Sequence, residues 1–172
     1  MRKFWLLGLA VCWLCAIGTT AAKNDNGDIV LETSLRGINE APPNNTPATG
    51  SFAATIQADG TITFTFTYAN LSATPIQAHI HFGRNNVNGG VMIFLCGGGA
   101  QPACPSATSA TFTGTITSAN VVGPAGQGVA AGDLASALRL IIMDHQGYAN
   151  IHNAKFPGGE IRGQLRVKRE DD

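Results

Sequence analysis

From Ser51 to Tyr68 the chain alternates with a period of two, and that alternation limits the fold more than any other feature. Phe52, Ala54 and Ile56 are separated by small or polar residues, Asp59-Gly60 follows, and Ile62, Phe64, Phe66 and Tyr68 then interleave with Thr61, Thr63, Thr65 and Thr67. Successive side chains of a strand point to opposite faces, so each arm has one apolar face and one small, polar face. Asp-Gly is a preferred pair for a two-residue hairpin turn. Burying the aromatic and isoleucine side chains at ~2 kcal/mol each is enough to fix the register. The expectation is a half-buried antiparallel hairpin.

The rest of the chain reads as short strands set between turn residues. Strands are expected at 28–35, 76–82, 91–95, 111–117, 147–152 and 160–167, with a loop at 39–49 that holds Pro42, Pro43 and Pro47. Leu134, Leu138, Ile141 and Ile142 recur at helical spacing behind Asp133, a good N-cap, so one short helix is expected over 133–143. These elements make an all-β domain with one short helix over residues 28–168. A polar start at 23–27 precedes it and a charged tail at 169–172 follows.

Residues 1–22 carry the three zones of an export signal: Arg2 and Lys3, an apolar run from Phe4 to Ile17, and small residues from Gly18 to Ala22. Cleavage is expected after Ala22. The run falls short of the ~20 residues a spanning helix needs, which argues against an uncleaved anchor, and no other apolar run approaches that length, so no membrane contact is expected of the mature form. Losing Arg2 and Lys3 turns a balance of 11 basic and 11 acidic residues into nine against eleven. A surface so close to neutral argues against nucleic acid as partner. Cys12 and Cys15 leave with the leader; Cys96 and Cys104 remain, and an even pair in an exported chain is read as a disulfide. Closing so small a loop contributes roughly 2–3 kcal/mol. The expected location is secreted or extracytoplasmic, either extracellular or periplasmic.

Four segments together resemble the CHRD domain, a module repeated in chordin and found singly in many microbial secreted proteins. They are Leu35-Arg-Gly-Ile-Asn-Glu-Ala-Pro-Pro43; Ala78-His-Ile-His-Phe-Gly83 with Asn88-Gly-Gly-Val91; Tyr148-Ala-Asn-Ile-His152; and Phe156-Pro-Gly-Gly-Glu-Ile-Arg-Gly-Gln-Leu165. The resemblance runs over nearly all of the mature chain. It implies an antiparallel β-sandwich of Ig-like or superoxide-dismutase-like Greek-key type. It implies little about activity, because the role of the module is largely undefined. Cys96 and Cys104, with their glycine-rich loop, have no counterpart in that pattern and read as a local insertion.

His79 and His81 stand two apart in a predicted strand and share a face, as do Tyr148, Asn150 and His152 in a later one. If those strands are neighbours, three imidazoles converge, and three neutral imidazoles with an open position suit Zn²⁺ or Cu²⁺. Copper–zinc superoxide dismutases begin their copper site with His-x-His on a strand, but no bridging-histidine loop or zinc-ligand aspartate stands at comparable spacing here. His145 is a further ligand candidate, although a histidine beside a helix end often serves the helix dipole alone. The alternative is a hydrogen-bonded polar layer in which His79, His81 and His152 pin strand order.

Glu160, Arg162 and Gln164 are expected to share the polar face of the last strand. No second carboxylate pairs with Glu160 as general acid–base chemistry requires, so the face reads as an ordinary salt-bridged one. No catalytic residue is assigned. The Gly97-Gly98-Gly99 run lacks the lysine of a phosphate loop and reads as a turn. Asn44-Asn45-Thr46 and Asn70-Leu71-Ser72 match glycosylation acceptors and imply surface position. The function expected is therefore a non-catalytic module without cofactor that binds an extracellular protein or surface ligand through its loops. The alternative is a copper- or zinc-binding or redox protein built on the histidines.

Overall fold

The computed structural model describes residues 23, 24 and 26–168; the expected leader and charged tail lie outside the described residues. Nine strands form in the order β1 (Ile29–Arg36), β2 (Thr49–Ile56), β3 (Ile62–Ala69), β4 (Pro75–Phe82), β5 (Gly90–Cys96), β6 (Ala110–Ile116), β7 (Gly147–Asn153), β8 (Ile161–Gln164) and β9 (Arg166–Val167). Among the described residues one α-helix, α1 (Leu134–Ile142), lies between β6 and β7. Every strand pair is antiparallel, along the path β5-β4-β7-β8-β1-β2-β3-β6, with β9 paired to β1. The all-β antiparallel expectation with one short helix is met. The ladder is one curled path, nearly closed like a barrel, rather than two separate sheets.

Closure comes from the two end strands. Ile93 of β5 makes a bridge with Val121, just beyond β6. Val122 donates its N–H to the Met92 carbonyl at 3.0 Å. The loop between Cys96 and Cys104 lies in the same seam: Gln101 Nε2 donates to the Thr115 carbonyl at 2.8 Å, and Asn120 Nδ2 to the Gly99 carbonyl at 2.8 Å. The expected Cys96–Cys104 disulfide is formed. Its loop thus covers strand ends that would otherwise expose unpaired backbone groups.

The hairpin of β2 and β3 pairs in register from Thr49↔Ala69 to Ile56↔Ile62. Its turn differs from the expected two-residue form. Gln57 N–H donates to the Thr61 carbonyl and Gly60 N–H to the Gln57 carbonyl, leaving Ala58, Asp59 and Gly60 as a three-residue loop. Gly60 takes φ +87°, the left-handed position such a loop ends on. Phe52, Phe64, Phe66 and Tyr68 all turn inward and are buried. Phe112 of β6 stacks on Phe66 with ring centroids 5.4 Å apart.

Helix α1 begins as expected, with Asp133 accepting the Ser136 N–H at 3.0 Å. It buries Ala137, Leu140 and Ile141 in the core. The expected last strand is broken at Leu165, whose side chain is fully buried and whose N–H turns aside to the Gly147 carbonyl. No helix among the described residues is long and apolar enough to cross a membrane.

Candidate metal centre

β4 lies between β5 and β7, and its register with β7 sets Gln77 opposite His152, His79 opposite Asn150 and His81 opposite Tyr148. Alternation sends Ala78, Ile80, Ala149 and Ile151 into the core and leaves the histidines, Tyr148 and Asn150 on the other face. The β4–β5 ladder shifts register beside both His79 and His81. Such bulges re-aim side chains out of the regular pleat. Although this face points away from the core, it is covered: His79 is 3% exposed and His81 7% exposed.

The three imidazoles converge. One nitrogen from each of His79, His81 and His152 lies within 4.8 Å of the others. His81 Nδ1 stands 3.0 Å from the Gly89 carbonyl and His152 Nδ1 stands 3.0 Å from the Pro157 carbonyl. A carbonyl only accepts, so each Nδ1 carries the proton and donates, and each Nε2 of the neutral ring presents a lone pair. Those two Nε2 atoms face one another at 3.4 Å. Two lone pairs make no hydrogen bond. Two nitrogens bound to one zinc at ~2.1 Å with a tetrahedral angle are about 3.4 Å apart, the same spacing as this pair. His79 is the third ring of the cluster, and neither of its nitrogens has a partner.

Burial keeps these rings neutral. His79 is pushed down to about 3, first by burial and then by its two histidine neighbours. His81 is pushed down to about 4, chiefly by burial, with the Gly89 carbonyl acting against it. Burial also lowers His152. Neutral imidazole is the form that ligates metal. The surroundings hold the rings in place. The Phe94 ring stands edge-on to His79 at 4.4 Å, and Tyr148 stacks parallel on His81 at 4.8 Å. Gly98 and Gly99 lie against Phe94, where any Cβ would come within 2.6 Å of the ring. The glycine run of the disulfide loop is therefore a close-packed cover behind His79.

Beyond Tyr148 lies Arg162 of β8, its guanidinium carbon 4.4 Å from the Tyr148 ring centroid. Arg162 Nε donates to the Asn39 carbonyl at 2.7 Å and Nη1 to the Val87 carbonyl at 3.2 Å, while Nη2 is buried without a partner. These bonds draw the 37–40 and 84–88 loops over the face. Asn150 is turned away from the histidines: its Nδ2 donates to Glu40 Oε1 at 2.6 Å and to the Ile161 carbonyl at 2.9 Å. Burial pushes Glu40 up to about 7, against the opposing pull of Asn150 and Arg162.

Two expectations need correction. Glu160 does not share a salt-bridged strand face with Arg162. It precedes β8, is fully buried, and accepts from Thr46 Oγ1, from the N–H and Oγ of Ser72, and from Asn153 Nδ2. A loop carboxylate so fully engaged ties segments together. Asn44 and the hydroxyls of Thr46 and Ser72, from the two glycosylation-type motifs, are spent on Glu160 as well. His145 stands apart from the cluster: its side chain is exposed, and only its carbonyl is used, accepting from Gln164 Nε2.

Sequence reasoning found the three imidazoles and missed their setting. Glu40 gave no signal beyond its place in one family-like segment, and Phe94 read as an ordinary strand residue. The Gly89 and Pro157 carbonyls are backbone groups that no residue type announces.

A family model described as the CHRD domain matches residues 31–165. Comparisons with curated proteins and with solved structures return no match. The matched span holds all four segments that carried the resemblance. The fold brings parts of each to this one face: Asn39 and Glu40, His79 to His81 with Gly89, Tyr148 to His152, and Pro157 with Arg162. The chain belongs to the CHRD domain family.

Proposed function

We propose that this domain is an exported, non-catalytic binding module whose ligand at the β4–β7 face is a late first-row metal ion held by His79, His81 and His152. One observation carries the reading. His81 and His152 spend their Nδ1–H groups on carbonyls, aim bare Nε2 lone pairs at each other at 3.4 Å, and meet a third imidazole with both nitrogens unpartnered. A polar layer that merely pinned strand order would hydrogen-bond its members to one another. The carbonyls play the outer role common around ligating histidines, fixing tautomer and ring orientation. Export is supported by the leader-like N-terminus and by a disulfide, which persists in oxidising compartments.

The test is a melt of chelator-treated protein with and without Zn²⁺ or Cu²⁺. At a hundredfold excess over Kd the ion adds ~2.7 kcal/mol, which raises Tm by roughly 5–10 °C. His152→Ala removes the shift. An unchanged Tm with either ion overturns the reading.

A second reading, docking of an extracellular protein, draws on Ile38 and Val87. They are 68% and 46% exposed and sit on the two loops that Arg162 draws together. Solitary exposed apolar residues are ordinary, and a pair on neighbouring loops begins a contact patch. Ile38→Asp with Val87→Asp abolishes such docking and leaves metal uptake intact; partner capture that survives the double variant counts against this reading.

A further inference from the structure

Resting on the metal reading above, we infer that the ion is copper, and that the cluster favours its monovalent form over any divalent ion.

The donor set is the first reason. It consists of three neutral imidazoles, and no carboxylate belongs to it. Glu160 is engaged by Thr46, Ser72 and Asn153, and Glu40 by Asn150. The pull of a neutral donor on an ion grows in proportion to the ion's charge, whereas the penalty for leaving water grows with its square. Leaving water therefore costs a dication far more than a monocation, and no carboxylate stands among the donors to offset the difference. A carboxylate would tilt this balance back toward the dication. Burial gives the hydration loss its weight, because His79 and His81 are almost wholly covered, His152 is half-buried, and Phe94 closes the side of His79.

The second reason is a fixed charge. The Arg162 guanidinium is held behind His81 by the Tyr148 ring, which stacks on both. Its repulsion doubles for a dication. No carboxylate bridges Arg162 directly, since its donors go to the Asn39 and Val87 carbonyls and to Asn88 Oδ1.

Coordination number is the third reason. Three nitrogens by themselves complete a trigonal monovalent ion, whereas zinc on three histidines must also take a water as its fourth ligand. Among the described residues the metal-ligating side chains that converge here are these three alone. Tyr148 Oη is taken by the Gly89 N–H. Imidazole is a good ligand for copper, and copper is the first-row metal with a common monovalent state.

The experiment titrates chelator-treated protein anaerobically with Cu(I) in competition with bicinchoninate. Parallel titrations use Zn²⁺ and Cu²⁺ against chromophoric chelators of known affinity. One Cu(I) per chain is expected, with a Kd at least about tenfold below that for either divalent ion. A Cu(II)/Cu(I) couple more positive than that of aqueous copper is expected with it. His152→Ala abolishes the Cu(I) binding, and its circular dichroism reports that the strands persist. Zn²⁺ or Cu²⁺ bound as tightly as Cu(I) overturns the preference and leaves the metal site standing. Failure to retain any of the three ions overturns the preference and the metal reading together.

Discussion

Two regions of the sheet carry polar side chains on their outer face, and they meet opposite fates. On β3 and β6 the outward positions are threonines; Thr63, Thr65, Thr111, Thr113 and Thr115 are exposed, with Thr67 and Thr111 sharing a hydroxyl hydrogen bond at 2.9 Å. On β4, β7 and β8 the same alternation places His79, His81, Tyr148, Asn150 and Arg162 outward, yet all five are buried. Loops lie over the second region and leave the first in water. Among the described residues, the buried side-chain nitrogens without a partner are His79 Nδ1, His79 Nε2 and Arg162 Nη2, all in the covered region. Period-two patterning thus decides which way a side chain points, and the loops decide what environment it finds. Unsatisfied polar groups gathered on one covered face make that region less stable than full pairing would.

Acid breaks the comparison most strongly. His79 and His81 have folded-state values depressed to about 3 and about 4. Below pH 6.5 the unfolded chain binds protons that the folded chain refuses, so stability is full above 6.5 and falls with falling pH. Between pH 6.5 and 4.5 each imidazole removes about 2–3 kcal/mol. Glu40 works in the opposite sense: raised to about 7, it returns stability as pH falls through the same window. Urea midpoints of metal-free protein should drop across this range, and drop further in Glu40→Gln. A flat profile in Glu40→Gln would show that the histidines are not buried.

Arg162→Met comes next. It strands the Asn39 and Val87 carbonyls and takes the guanidinium off Tyr148. The expected loss is about 3 kcal/mol by denaturant melt. A loss under 1 kcal/mol would mean the loops close over the face without it.

His79→Leu has a smaller effect of the opposite sign. Replacing a buried ring that has two orphaned nitrogens by an apolar side chain should stabilise the metal-free protein by about 1 kcal/mol at pH 7, while ending metal uptake. A histidine whose role is structural would instead destabilise on replacement. Thr113→Ala marks the lower limit: an exposed threonine on the open face should change stability by less than about 0.5 kcal/mol and leave metal uptake alone.

What the sequence made legible was local. The Phe52–Tyr68 hairpin, the Asp133 cap, the disulfide and the shared face of His79 and His81 each follow from spacings of two to eight residues. The pairing of β4 with β7 joins residues some seventy apart, so the arrival of His152 beside His81 rested on a conditional. Burial of the histidine face was illegible, because the covering loops are held by Arg162 through contacts across most of the chain. Glu160 was misplaced for the same reason. Alternation carried it onto the strand face, whereas the chain enters β8 only at Ile161 and leaves Glu160 free to turn toward Ser72 and Thr46. The turn at Gly60 was one residue longer than Asp-Gly suggests, since the glycine closes a three-residue loop.

X-ray absorption on protein loaded with one equivalent of copper or zinc tests the metal centre most directly. Three imidazole nitrogens near 2.0–2.1 Å are expected around the ion, and no such shell in His152→Ala, which does not retain it. A shell made only of water oxygens, or an ion lost on desalting, would contradict the site.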